Sequence, residues 1–146
     1  MNPYAPSIYI AGPYERKAEL REYAAKITAE TRCHITSRWL TDPAWPDEAI
    51  DPVAPDVDKS LCKDLAYKDL NDIQASDMFV LFSDGNGRGG RNVEYGFALR
   101  EQAVSICVVI GSNTTIFHHL ATYHFINFTE FIEWLTERIQ NESKIG

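Results

Sequence analysis

Three residues scattered along the chain, Tyr9, Asp69 and Glu94, are of the types that acid–base and nucleophilic chemistry uses. Asp69 stands out by its position. The stretch from Lys59 to Ser76 has helical periodicity, and Asp69 completes the series Leu61, Leu65, Ile73 at i, i+4 spacing. It falls near the middle of the arc holding Leu61, Cys62, Leu65, Ala66 and Ile73, which should face the core side of the helix. An ionisable group there must be paired, hydrogen-bonded or shifted in pKa, and a shifted carboxyl in a cleft is a candidate acid. A structural Asp bonded to backbone amides or to an Arg has the same signature, and periodicity does not separate the two.

Glu94 follows the glycine-rich run Gly85-Asn86-Gly87-Arg88-Gly89-Gly90-Arg91-Asn92. A helix expected over Asn92 to Gln102 puts Glu94 in its first turn, with Asn92 or a neighbouring glycine as N-cap. The helix dipole then favours the ionised carboxylate. Such a glutamate serves as a base or a nucleophile, or simply stabilises its helix. Two carboxylates of different environment aimed at one cleft suggest divided labour: Glu94 held ionised, Asp69 raised toward protonation by burial. That pairing cleaves glycosidic bonds through a covalent intermediate. Tyr9, late in the first expected strand, reaches the same cleft and orients Glu94 through its phenol.

The glycine-rich run offers backbone amides and a helix N-terminus to an anion. Gly85, Gly87 and Gly90 match G-x-G-x-x-G, but the preceding strand is not the first, and no acidic residue ends the next strand to hold a ribose. No Lys-Ser or Lys-Thr follows, which excludes a Walker A loop. Arg88 and Arg91 suit a phosphate, which guanidinium binds bidentately, or else pair with surface acids.

The elements that must position these residues follow from hydrophobic pattern. Ser7 to Ala11 reads as a strand stopped by Gly12-Pro13, and Glu15 to Thr31 as a helix. His34 to Leu40 reads as a second strand, and the proline- and acid-rich stretch from Thr41 to Asp58 as a lid or binding loop. Met78 to Phe82 and Val104 to Ile110 are buried strands; Ile116 to Tyr123, His124 to Ile126 and Thr129 to Gln140 read as a short helix, a short strand and a terminal amphipathic helix. Apolar strands alternating with helices imply a parallel sheet covered on both faces. The expected fold is therefore a three-layer α/β sandwich with about five strands, flavodoxin-like or Rossmann-like, whose ligands bind at the carboxyl ends of the strands.

With 146 residues, 45% of them hydrophobic and 24% charged, the chain reads as one domain, residues 1–146, with a real core. Its 21 acidic against 14 basic residues give a net charge of −7, which disfavours a nucleic acid polymer as partner. Cys33, Cys62 and Cys107 are scattered and odd in number, the pattern of reduced thiols in a cytoplasmic protein. No apolar run is long enough for a membrane span, the first residues lack a secretory signal, and His118, His119 and His124 show no metal-ligand spacing.

Taken together, Ile8-Tyr9-Ile10-Ala11-Gly12-Pro13, Asp69-Leu70 with Ala75-Ser76-Asp77, and Val93-Glu94-Tyr95-Gly96-Phe97-Ala98 resemble the nucleoside 2-deoxyribosyltransferase superfamily, which includes the 2′-deoxynucleoside 5′-phosphate N-hydrolases. The resemblance covers roughly residues 7 to 110. It implies a homodimer or higher homo-oligomer acting on a nucleoside or nucleotide without metal or organic cofactor. Glu94 would attack C1′ of the sugar, Tyr9 would hold it, and Asp69 would be the acid and base acting on the nucleobase. Gly12, Arg88, Gly90, Arg91 and Asn92 are the expected substrate contacts, and Asp77 supports a strand end. Where the transferases carry an Asp and the hydrolases a Ser ahead of the nucleophile, this chain has Arg88. That departure keeps in view a nucleotide-binding module without turnover, and a glutamate acting at a ribosyl C1′ also serves an NAD-cleaving enzyme. Tyr14, Trp39 and Trp45 are of the right type to stack on a base.

Overall fold

Strands that are apolar on both faces need helices above and below, and the sheet is built in that way. A computed structural model describes residues 5–87 and 89–145. Its parallel sheet has the order β1 (Ile8–Ala11), β2 (Met78–Phe82), β3 (Ile106–Ile110), β4 (Tyr123–Phe125). Ile8 aligns with Met78, Met78 with Ile106, and Val108 with Tyr123. Every residue of β1 and β2 is buried. Helix α1 (Lys17–Thr31) packs with α5 (Phe128–Ile145), and α3 (Lys59–Gln74) packs with α4 (Gly90–Arg100), which makes the three layers.

The sheet has four strands, not the five expected, because the segment read as a second strand pairs only briefly. Ile35 makes an isolated parallel bridge to Ile8, with His34 O accepting from Ile8 N at 2.8 Å and Thr36 N donating to Ile8 O at 2.8 Å. Two side chains then replace the ladder. Ile10 N donates to Ser37 Oγ at 3.1 Å, and Trp39 Nε1 donates to Ile10 O at 2.7 Å. With the edge of β1 satisfied, the backbone is free to turn into the short helix α2 (Arg38–Thr41). The bridge lies on the side of β1 away from β2, so strand order reverses between β1 and β2. That is where ligands of open α/β sheets bind.

Between α2 and α3 the loop 42–58 is irregular, as its prolines and acids suggest, and it is tied down at one carbonyl. Tyr14 in the short 3₁₀ helix Tyr14–Arg16 donates its hydroxyl to Pro46 O at 2.7 Å, and Lys17 Nζ donates to the same oxygen at 2.8 Å. Asp58 caps α3 by accepting from Leu61 N at 3.0 Å. Among the described residues no helix is long and apolar enough to cross a membrane.

Candidate active site

A cleft of about 770 Å³ opens at the carboxyl ends of β1 and β2. Loop 42–58 supplies one wall through Trp45, Ala49, Ile50 and Pro52, and Trp39 and Leu65 join it to the body. The other wall is the glycine-rich loop and the start of α4, with Asn86, Gly87, Gly89, Gly90 and Arg91. Gly12 lies where β1 must pass close to its neighbours; a Cβ there would sit 2.5 Å from Leu20 Cδ1 and 3.4 Å from Phe82 Cβ.

The arc on α3 that was expected to face the core turns into this cleft instead. Cys62, Leu65, Ala66 and Asp69 line it, Leu61 is 38% exposed, and Ile73 enters the core fully. Asp69 is half-buried, and its Oδ1 is inaccessible to solvent and without a hydrogen-bond partner.

Glu94 meets Tyr9 across a sequence separation of 85 residues, the phenol donating a hydrogen bond to Glu94 Oε2. The Tyr9 ring is itself locked, fully buried and stacked on Phe79 with centroids 5.6 Å apart at 7°. The Tyr9 phenol, Asp69 and Glu94 therefore form one interacting cluster drawn from β1, α3 and α4.

Burial raises both carboxyls. Asp69 is pushed up to about 7 by desolvation and further by the charge of Asp72, while the Tyr9 hydrogen bond and Arg38 oppose the rise. Glu94 is pushed up to about 8 by desolvation and by the Asp69 charge, against the Tyr9 hydrogen bond. The helix dipole, expected to favour ionised Glu94, is opposed by this burial. Helix α4 begins at Gly90 after an N-cap Gly89 at φ 94°, so Glu94 is its fifth residue and no acid lies in the first turn. The dipole falls off within that turn, and burial outweighs it. Burial and the two neighbouring carboxyls raise Tyr9 in turn, so the phenol keeps its proton and remains a donor.

The other expected contacts fall in two groups. Gly12, Gly90 and Arg91 line the cleft, whereas Asn92 is exposed and does not; Arg88 lies outside the described residues. The Arg91 guanidinium is spent on backbone, donating to Phe82 O at 3.2 Å, Asp84 O at 2.9 Å and Gly85 O at 2.6 Å. Asp77 holds a strand end, its Oδ2 accepting from Ser7 N at 2.9 Å. Tyr14, Trp39 and Trp45 all line the cleft, Tyr14 and Trp39 with centroids 5.4 Å apart. Glu15 was not singled out from the sequence, yet it lines the cleft and accepts from Asn86 N at 2.8 Å. Its place two residues after the strand-ending Gly12-Pro13 was the available signal. His118 is buried, accepting from Thr114 N at 3.0 Å through Nδ1. No group of metal-ligating side chains occurs among the described residues.

A four-stranded parallel sheet between helix layers, with a carboxylate–tyrosine cluster at the strand ends, makes an α/β sandwich close to the flavodoxin-like fold. Among solved structures, the CMP N-glycosidase BcmB of Clostridium botulinum is similar, with a TM-score of 0.52 and 14% identity over 88% of this chain and 97% of that one. The likeness is one of fold. No protein-family model and no curated protein sequence matches the chain.

Proposed function

We propose that this protein cleaves the N-glycosidic bond of a nucleoside or nucleoside 5′-monophosphate through a glycosyl-Glu94 intermediate. The observation that carries the reading is that Asp69 and Glu94 line one cleft walled by aromatic side chains, with the buried Tyr9 phenol bonded to Glu94. The fold shared with a CMP N-glycosidase supports the same class of chemistry.

Between about pH 7 and 8 the carboxyl pair holds one proton. The Tyr9 hydroxyl hydrogen-bonds Glu94 Oε2 and stabilises charge there, and it also faces Asp69, whose Oδ1 has no hydrogen-bond partner among the described residues. The reaction uses the tautomer of this singly protonated pair that has the proton on Asp69 and the charge on Glu94, where the Tyr9 hydrogen bond stabilises it. Glu94 attacks C1′ as the C1′–N bond breaks; the bond's electron pair leaves with the base, which takes the Asp69 proton. A glycosyl ester on Glu94 results. Water, or a second base, then attacks C1′ and gives its proton to Asp69, freeing Glu94.

The test is to incubate the protein with 2′-deoxynucleosides and their 5′-monophosphates and follow free base by chromatography. Base release that disappears in Glu94→Ala is expected. Full activity in that variant would overturn the assignment.

A further inference from the structure

We infer that the Asp72–Arg38 ion pair is a positioning pair for Asp69, holding the turn of α3 that carries this acid against the start of α2 and laying two opposed charges beside its carboxyl; this rests on the glycosidic cleavage proposed above. Asp72 and Ile73 are the buried residues of α3. A carboxylate placed there needs donors, and Arg38 supplies them. Arg38 N donates to Asp72 Oδ2 at 3.0 Å, and Arg38 Nε donates to Oδ1 at 2.8 Å and to Oδ2 at 3.1 Å. The far end of the same guanidinium reaches Lys68 O at 3.5 Å through Nη2. The fork thus spans the turn from Lys68 to Asp72, and Asp69 lies inside that turn. Lys68 itself is used elsewhere, its Nζ pairing with Asp64 Oδ2 at 3.0 Å.

Arg38 is followed by Trp39, which walls the cleft and donates through Nε1 to Ile10 O at 2.7 Å. The ion pair therefore joins the aromatic wall on α2 to the acid on α3. Neither Asp72 nor Arg38 lines the cleft, so both act on the reaction through Asp69. The charged and titratable groups that face Asp69 are Tyr9 from β1, Tyr14 from the 3₁₀ helix, Arg38 from α2, Asp72 from its own helix and Glu94 from α4. Of the ion pair, the Asp72 charge favours protonated Asp69 and the Arg38 charge favours the ionised form. The two signs separate an electrostatic role from a mechanical brace. Breaking a brace has one consequence whichever partner is lost, whereas removing the charges singly moves the last proton of the Asp69–Glu94 pair in opposite directions.

Base release by the full chain is measured from pH 5 to 10 on 2′-deoxynucleosides and their 5′-monophosphates, for wild type, Asp72→Asn, Arg38→Gln and Arg38→Lys, with thermal unfolding alongside. The alkaline limb of kcat, where the pair loses its last proton, should move down by about one pH unit in Asp72→Asn and up by about one in Arg38→Gln, the low end of the effect of a charge within one turn. Arg38→Lys keeps the charge without the fork, so its limb should stay at the wild-type pH while Tm drops. Limbs that move the same way in Asp72→Asn and Arg38→Gln, or that stay in place while both variants lose stability, overturn the role of the pair and leave the glycosidic reading standing. Where one of these two variants does not fold, the other and Arg38→Lys decide: a limb moved in the wrong direction by the first, or moved at all by Arg38→Lys, overturns it. No base released by wild type from any of these substrates overturns the cleavage reading and this inference with it.

Discussion

Removing a single oxygen from Tyr9 separates positioning from packing in this site. Tyr9→Phe keeps the fully buried ring and its stack on Phe79, while it deletes the hydrogen bond to Glu94 Oε2. A hydrogen bond to a charged group contributes about 1.5–3 kcal/mol, and its loss corresponds to a rate reduction of about 10- to 150-fold. The direction of the pH effect follows from the same bond. It opposes the rise of the Glu94 pKa, so its loss raises that pKa further. Activity that requires ionised Glu94 disappears as pH falls through this value, and the acid limb of the kcat profile moves to higher pH. Base release is measured from pH 5 to 9, with thermal unfolding as a control for folding. A Tyr9→Phe variant with wild-type kcat and an unmoved acid limb would refute the reasoning.

Three further outcomes follow from the same contacts. The folded protein keeps the protons of Asp69 and Glu94 up to about 7 and about 8, whereas their ordinary values are 3.8 and 4.5. The folded state thus binds more protons than the unfolded state across that window, and the pair's contribution to stability, complete below the ordinary values, is lost as pH rises toward 8. Glu94→Gln should therefore raise Tm at pH 8 and change it little at pH 4; a lowered Tm at pH 8 in calorimetry contradicts this. Arg91→Lys replaces the two guanidinium nitrogens that reach these three carbonyls by a single nitrogen that cannot span them, so thermal denaturation should show a loss of about 1–3 kcal/mol and kcat should fall as the loop loosens. Gly12→Ala places a methyl group 2.5 Å from Leu20 Cδ1 and should cost about 1–3 kcal/mol by urea denaturation, where an unchanged midpoint would argue against close packing at that turn.

Much of the architecture was legible because its strongest signals are local. The apolar runs at Met78 to Phe82 and Val104 to Ile110 identify buried strands, and the glycine-rich stretch marks the loop ahead of Glu94. The lost strand was not legible, because pairing at Ile35 is cut short by side chains, Ser37 Oγ and Trp39 Nε1, that serve the edge of β1 in place of backbone. The rise of the Glu94 pKa was not legible because it comes from burial, and because α4 begins at Gly90, two residues ahead of the expected start at Asn92. The partners of Arg91 are backbone carbonyls, which carry no side-chain signature in sequence. Asp69 was found by its spacing, although the stripe it completes faces a cleft that only the long loop and α3 together enclose.

The central claim is a covalent bond between C1′ and Glu94. Acid-quenched reactions, digested and examined by mass spectrometry during turnover, test it most directly. The account predicts a glycosyl adduct on the peptide that contains Glu94, present with substrate and absent in Glu94→Gln. Steady release of base with no adduct on that peptide, or with an adduct on another residue, would contradict it.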